Sequence, residues 1–230
     1  MRSYAVEFIG TFFLVLTVGT AVLSEAPLAP LAIGAMLMVM VYAGGHVSGA
    51  HYNPAVTLAV LLRGRIGVTT AAGYVCAQSL AALAAGPLAL WIASPESTRR
   101  LSLSGHQLVA ALVVEALFAF ALAYVVLNVA TSSSHSDNSF YGLAIGFTVL
   151  AGAVTVGGIS GAVFNPVVAL GGALAGLFDW SALWIYLLAN LAGGAAAGMG
   201  FRVIHPHDSG PLVTADERTD SPELSMPSGT

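Results

Sequence analysis

Lysine is absent from this chain of 230 residues, and there is one cysteine, Cys76. Without a basic stripe the chain offers nothing to a nucleic-acid backbone. A lone thiol excludes a disulfide framework and a cysteine-rich metal site. Charge of either sign is scarce: 8% of residues are charged, against roughly 25% in water-soluble domains. A soluble globule is excluded, because too few charges remain to cover its surface. The charges present are unevenly spread. Residues 1–204 hold six Arg against six acids, and residues 205–230 hold Arg218 against five acids, so the whole net charge of −4 lies in the second segment. That segment is rich in Ser, Pro and Asp and reads as a disordered acidic tail, with a regulatory role as the alternative.

Apolar residues make up 57% of the chain. Six stretches approach the ~20 residues that cross a bilayer: about 4–24, 28–46, 67–92, 106–131, 140–157 and 180–203. The first is too long for the apolar core of a signal peptide and contains Glu7, so it reads as a span. Two apolar segments, 53–62 and 165–175, are about half that length. Each opens with Asn-Pro. Asn is a favoured N-cap and Pro a favoured first helical residue. Each therefore reads as a half-helix, ending near Arg63–Gly64 in the first case and near Gly176 in the second.

The chain repeats itself. Ser48–Leu62 and Ser160–Leu174 share eight of fifteen residues at an offset of 112. Upstream, Glu7 matches Glu115. Repeat one covers about 4–92 and repeat two about 106–203. Each holds three spans, an odd number, so the second enters the membrane from the opposite side as an inverted repeat. Arg2, Arg63, Arg65 and Arg202 against Arg99 and Arg100 place both termini in the cytoplasm. Trp91, Trp180 and Trp184 then form an outer aromatic belt, and Asp179 is expected to cap the last span.

Half-helices entering from opposite faces meet near the midplane with their N-termini. Each N-terminus carries about half a positive charge and unpaired N–H groups. Two such ends around a water-filled path repel cations, while Asn53 and Asn165 offer amide hydrogens to a neutral molecule. The residues alone therefore indicate a pore for small uncharged solutes.

The run Gly45-His46-Val47-Ser48-Gly49-Ala50-His51-Tyr52-Asn53-Pro54-Ala55-Val56-Thr57 resembles the first signature loop of the aquaporin (major intrinsic protein) family, and the likeness extends over 1–204. It implies an all-α membrane fold of six spanning helices and two re-entrant half-helices, not an enzyme, with no metal or cofactor. It implies a homotetramer with one pore per subunit. Asn53, Pro54, Ala55, Asn165, Pro166 and Val167 would form the central constriction. Glu7 and Glu115 would accept hydrogen bonds from the loop before each half-helix.

The second loop departs from the family pattern. Val167 stands where Ala is usual, and Val168 where the outer filter carries Arg. The other filter positions fall on Ile33, Ala153 and Ala162. All four are apolar and none is aromatic, which implies a wide, uncharged filter. The alternative is that a neighbouring side chain refills the gap, or that the register slips near the glycines at 157–161 and Phe164. The filter resembles that of aquaglyceroporins from bacterial arsenic-resistance operons, and so implies a bacterial inner membrane. The expected cargo is glycerol, neutral arsenite and methylated arsenicals, with some water. An orthodox water channel and a secondary transporter are the alternatives. His46 and His51 lack a third ligand and read as loop or vestibule residues. Cys76 reads as a lipid- or core-facing residue, and Gly193, Gly194 and Gly198 as close helix packing.

Overall fold

A computed structural model describes residues 1–96, 100–135 and 137–208. Arg99 and tail residues 209–230 lie outside the described residues. The described chain is helical throughout, with a single isolated bridge, Leu101 to Phe178.

The helices are α1 (Arg2–Leu23), α2 (Ala29–Ser48), α3 (Pro54–Arg63), α4 (Val68–Ala93), α5 (Gly105–Val126), α6 (Tyr141–Ser160), α7 (Pro166–Leu174) and α8 (Leu183–Ile204). A π-helical turn, Leu127–Thr131, prolongs α5, and a 3₁₀ turn, Trp180–Ala182, leads into α8. Six elements are long and apolar enough to cross a membrane; α3 and α7 are the short ones. Asp179 precedes the 3₁₀ turn, but its side chain makes no capping bond. The turn is closed instead by the Ala182 N–H on the Asp179 carbonyl.

Both short helices begin as their residues dictate. The Asn53 side chain accepts from the Ala55 N–H at 2.8 Å, and Asn165 accepts from the Val167 N–H at 3.1 Å. Both asparagines are extended, and a proline follows each at the first helical position. Gly64, at φ 89°, ends α3 in the left-handed conformation that glycine adopts without strain.

The two repeats pack in the same way. α1 lies on α4 and α5 on α8, while α2 meets α6 across the pseudo-two-fold axis. Glycines set the spacing. A Cβ on Gly146 would stand 2.5 Å from the Gly34 carbonyl oxygen, and one on Gly34 would stand 2.8 Å from that of Gly146. On α8, Gly193 abuts the Ala116 carbonyl, and Gly194 and Gly198 abut the carbonyls of Ala55 and Ala59. Added side chains there would drive the helices apart, so these glycines are packing residues.

An even number of crossings leaves both ends of the described chain on one face. Trp91, Trp180 and Trp184 are exposed, at the ends of α4 and α8 that lie toward the other face. On the face holding the termini, the chain after α8 is fastened down. Arg63 and Arg65 each reach Asp208, at 2.9 and 2.8 Å. Arg63 also donates to the Thr131 carbonyl at 2.9 Å and stacks over Phe201, 4.2 Å from the ring centroid. Residues 205–208, the start of the expected disordered segment, thus belong to the folded body. Partial burial alone would push the Asp208 carboxyl up. Hydrogen bonds from Ser133 and Ser132, with the charge of Arg63, outweigh it and hold the pKa at about 2.

Candidate functional site

The loops before α3 and α7 adopt one unusual backbone. Gly49, Ala50 and Tyr52 have φ of 84°, 51° and 48°; Gly161, Ala162 and Phe164, each 112 residues on, have 88°, 52° and 50°. Left-handed geometry at four non-glycine residues is strained, and it persists only where neighbours hold it. The buried acids do so. Glu7 Oε1 accepts from the Ser48 hydroxyl at 2.7 Å and the His51 N–H at 2.9 Å, and Oε2 from the Tyr52 N–H at 2.7 Å. Glu115 takes the Ser160 hydroxyl at 2.6 Å and the N–H groups of Val163 and Phe164 at 2.8 and 2.7 Å. Tyr74 and Tyr186 each donate to the carbonyl of Ser48 or Ser160, at 2.7 Å.

The N-termini of the half-helices meet and are stitched together. Asn53 Nδ2 donates to the Phe164 carbonyl, and Asn165 Nδ2 to the Tyr52 carbonyl, both at 2.9 Å. Each amide keeps a second hydrogen with no partner among the described residues. Both asparagines line a cavity of about 240 Å³.

The wall of that cavity is built symmetrically. Leu14 and Val18 of α1 match Leu122 and Val126 of α5. Ile33 and Leu37 of α2 match Ile145 and Val149 of α6. These side chains are apolar. The polar stripe comes from the two strained loops. Their N–H groups at 51, 52, 163 and 164 are bound by the glutamates. The carbonyls of Ala50, His51, Ala162 and Val163 have no partner among the described residues, and all four residues line the cavity. Among the described residues, no Asp, Glu, Lys or Arg lines it. The site therefore offers acceptors along one side, two asparagine donors at the centre, and hydrocarbon elsewhere.

The structure sorts the residues named from the sequence into two groups. Asn53, Asn165, Ile33, Ala153, Ala162 and Val168 line the cavity. Pro54, Pro166 and Val167 line an apolar groove on the outer surface, together with Cys76, and Ala55 is buried against Gly194. Of the Asn-Pro-Ala and Asn-Pro-Val triplets, only the asparagines face the cavity. His51 lines the cavity, with Nδ1 3.1 Å from the Thr57 hydroxyl. His46 lines a separate vestibule, with His135 and Asn138.

Reading the sequence missed Ser48, Tyr74 and Gln78 and their counterparts Ser160, Tyr186 and Asn190. The serines open the aligned window, and carrying its offset of 112 further would have found the other two pairs. It also missed Leu101, Leu177 and Phe178, which line the cavity at the face away from the termini. Leu101 lies between the repeats, and Leu177 and Phe178 stand where repeat one has Arg65 and Ile66, so the repeat carried no signal for them.

Two half-helices meeting head to head in an inverted repeat, around an uncharged cavity, define a multi-pass membrane channel for molecules rather than ions. The comparison with known proteins agrees. Residues 1–201 match the model of the major intrinsic protein family, and the chain belongs to that family. Its members are passive channels, not enzymes. The chain is 37% identical to Aquaporin NIP1-4 of rice over 212 residues, which is 89% of this chain and 77% of that one. It is 36% identical to Glycerol uptake facilitator protein-like 6 of Lactiplantibacillus plantarum over 217 residues, covering 90% of this chain and all of the other. The X-ray structure of the aquaglyceroporin from Plasmodium falciparum superposes with a TM-score of 0.71 at 22% identity, over 89% of this chain and 98% of that one. At that identity the likeness supports the fold alone.

Proposed function

We propose that this channel conducts small neutral solutes bulkier than water, with glycerol and arsenite as the reference cargo and methylated arsenicals at its upper size, alongside some water. One observation carries the reading: Ile33, Ala153, Ala162 and Val168 share one cavity, and none brings a charge or a long polar side chain into it. An uncharged polyol or As(OH)₃ can exchange water for the free loop carbonyls and the asparagine amides. Ions cannot, because the α3 and α7 N-termini set a positive potential at the centre and the apolar wall offers a charge no partner. A relative named for glycerol uptake supports the same substrate class.

Filter positions, sidedness and assembly are part of the proposal. Both termini face the cytoplasm of a bacterial cell, in its inner membrane. Four copies assemble in the bilayer, each with its own path. The decisive experiment is swelling of proteoliposomes in gradients of water, glycerol, urea and arsenite, with a membrane-potential dye to report ions. Swelling with glycerol and arsenite and no ion current is expected. Vesicles that pass water alone would replace this reading with that of a water channel.

A further inference from the structure

The four filter positions leave a gap that two loops fill. At the cavity end away from the termini, Ala153, Gly157, Gly161 and Ala162 contribute almost no side-chain bulk. Leu101, from the α4–α5 connection, and Phe178, from the α7–α8 connection, line the cavity beside Gly161, and Leu177 lines it too. Leu101 lies between the two repeats, and Phe178 stands where repeat one has Ile66.

Both are held in place by more than packing. The Leu101 N–H donates to the Leu177 carbonyl at 2.9 Å, and Leu101 pairs with Phe178 in the isolated bridge. The bridge ties the connection between the two halves of the chain to the segment just after the second half-helix. The Phe178 ring lies where side chains on Gly161 and Gly172 would stand, and packs at 45° against Tyr186, with ring centroids 5.0 Å apart. Tyr186 is itself fixed by its bond to the Ser160 carbonyl. Leu101 Cδ2 would lie 3.6 Å from a Cβ on Gly161. Replacing Gly161 by any other residue would therefore meet the ring, and the left-handed φ of 88° there disfavours it as well.

We propose that Leu101 and Phe178 form a loop-borne constriction that sets the upper size of solute, with Leu101 as the size-determining side chain and Phe178 as the residue that positions the loop. Ala153, Gly157, Gly161 and Ala162 are too small to narrow that side of the opening. A leucine and a phenylalanine, one fastened by its backbone and the other by glycine seats, restore a wall that is still apolar. A solute there loses hydration on that side, which a neutral molecule tolerates and a charged one does not. This rests on the neutral-solute reading above.

The test uses the full chain in proteoliposomes and a series of rising size: water, glycerol, erythritol and xylitol. Leu101→Ala keeps the backbone bond to Leu177 and removes the side chain. It should raise the xylitol-to-glycerol flux ratio several-fold and leave thermal stability close to the parent. Leu101→Trp should lower glycerol flux several-fold more than water flux. Phe178→Leu should loosen the loop and blur the size cut-off, raising erythritol and xylitol flux together. Unchanged ratios in both Leu101 variants would overturn the inference. If the parent passes only water, the neutral-solute reading fails by itself. The constriction is then read from water alone: Leu101→Trp must reduce it, and an unchanged rate would overturn the inference too.

Discussion

The two half-helices share a plan and differ in what backs them. In both, a buried glutamate holds two loop N–H groups and a serine hydroxyl, a tyrosine holds the serine carbonyl, and an asparagine caps the helix and reaches across to the other loop. In repeat one the network continues. Gln78 Nε2 donates to Glu7 at 2.8 Å and to the Thr57 hydroxyl at 3.1 Å, and Thr57 meets His51. In repeat two, Val163, Ala169 and Asn190 stand at the corresponding places. Asn190 is one methylene shorter than Gln78; it is fully buried and approaches Glu115, but in a geometry too poor for a full hydrogen bond. The shared parts are those the strained backbone requires. The parts that differ show how far each loop is reinforced beyond that.

The largest expected effect comes from removing a glutamate. Glu7→Leu leaves four donors without that acceptor, and Glu115→Leu leaves three. Each buried orphan costs about 1–3 kcal/mol. Both variants should lose folded yield in a thermal size-exclusion assay, Glu7→Leu the more. Gln at either position retains one acceptor and should be milder. Equal losses from the two leucine variants would mean that the additional Gln78 bond contributes nothing.

A finer contrast separates the two amides. Gln78→Met replaces a bonded amide with a chain of similar length and should destabilise by about 1.5–3 kcal/mol. Asn190→Leu replaces an amide that makes no well-shaped hydrogen bond with a near-isostere and should be neutral or slightly stabilising. Paired melting curves in detergent would decide. A large loss from Asn190→Leu would show that Asn190 is bonded after all.

Val168 has its own counterpart, Val56, and both line the cavity. Val168→Arg would project a planar, charged fork into the space bounded by Ile33, Ala153 and Ala162. Glycerol flux should fall several-fold relative to water. An unchanged ratio would mean that Val168 does not set the opening, and that the loop residues alone do.

The smallest effect lies at the far end of α3. Arg63 has Ala175 as its counterpart, so the Asp208 fastening exists on one repeat only. The Asp208 carboxyl is held at about 2, below its ordinary 3.8. Its contribution is therefore complete above about pH 4 and fades as pH falls through 2. Asp208→Asn should flatten that part of an acid-stability curve and lower stability slightly at neutral pH. A parent curve with no inflection there would remove the fastening from the account.

Much of this was legible in the residues. The lengths of the apolar runs gave six spans, Asn-Pro marked both half-helix starts, and the offset of 112 predicted their opposed entry. Of the cavity-lining residues, Asn53 and Asn165 followed from the Asn-Pro starts, and Ile33, Ala153, Ala162 and Val168 from counting along the family pattern. What escaped was tertiary. An asparagine and the proline after it face different ways, because the asparagine is an extended N-cap and the proline begins the helical turn. Asp179 looked like a cap, yet the local turn was closed by backbone. Leu101 and Phe178 are 77 residues apart, and nothing local in either loop shows that they meet.

The crossed asparagine bonds also impose an order on synthesis. They join residues 111 and 113 positions apart. At ~10 residues per second, translation delivers the second partner about ten seconds after the first. For that interval the α3 N-terminus has no mate at the bilayer midplane, and its exposed N–H groups disfavour burial in lipid. The first half-helix must therefore wait, shallow or shielded by the insertion machinery, until α7 arrives from the other side. A nascent chain stopped before Asn165 should leave α3 open to water-soluble labels, and one extended past α8 should not.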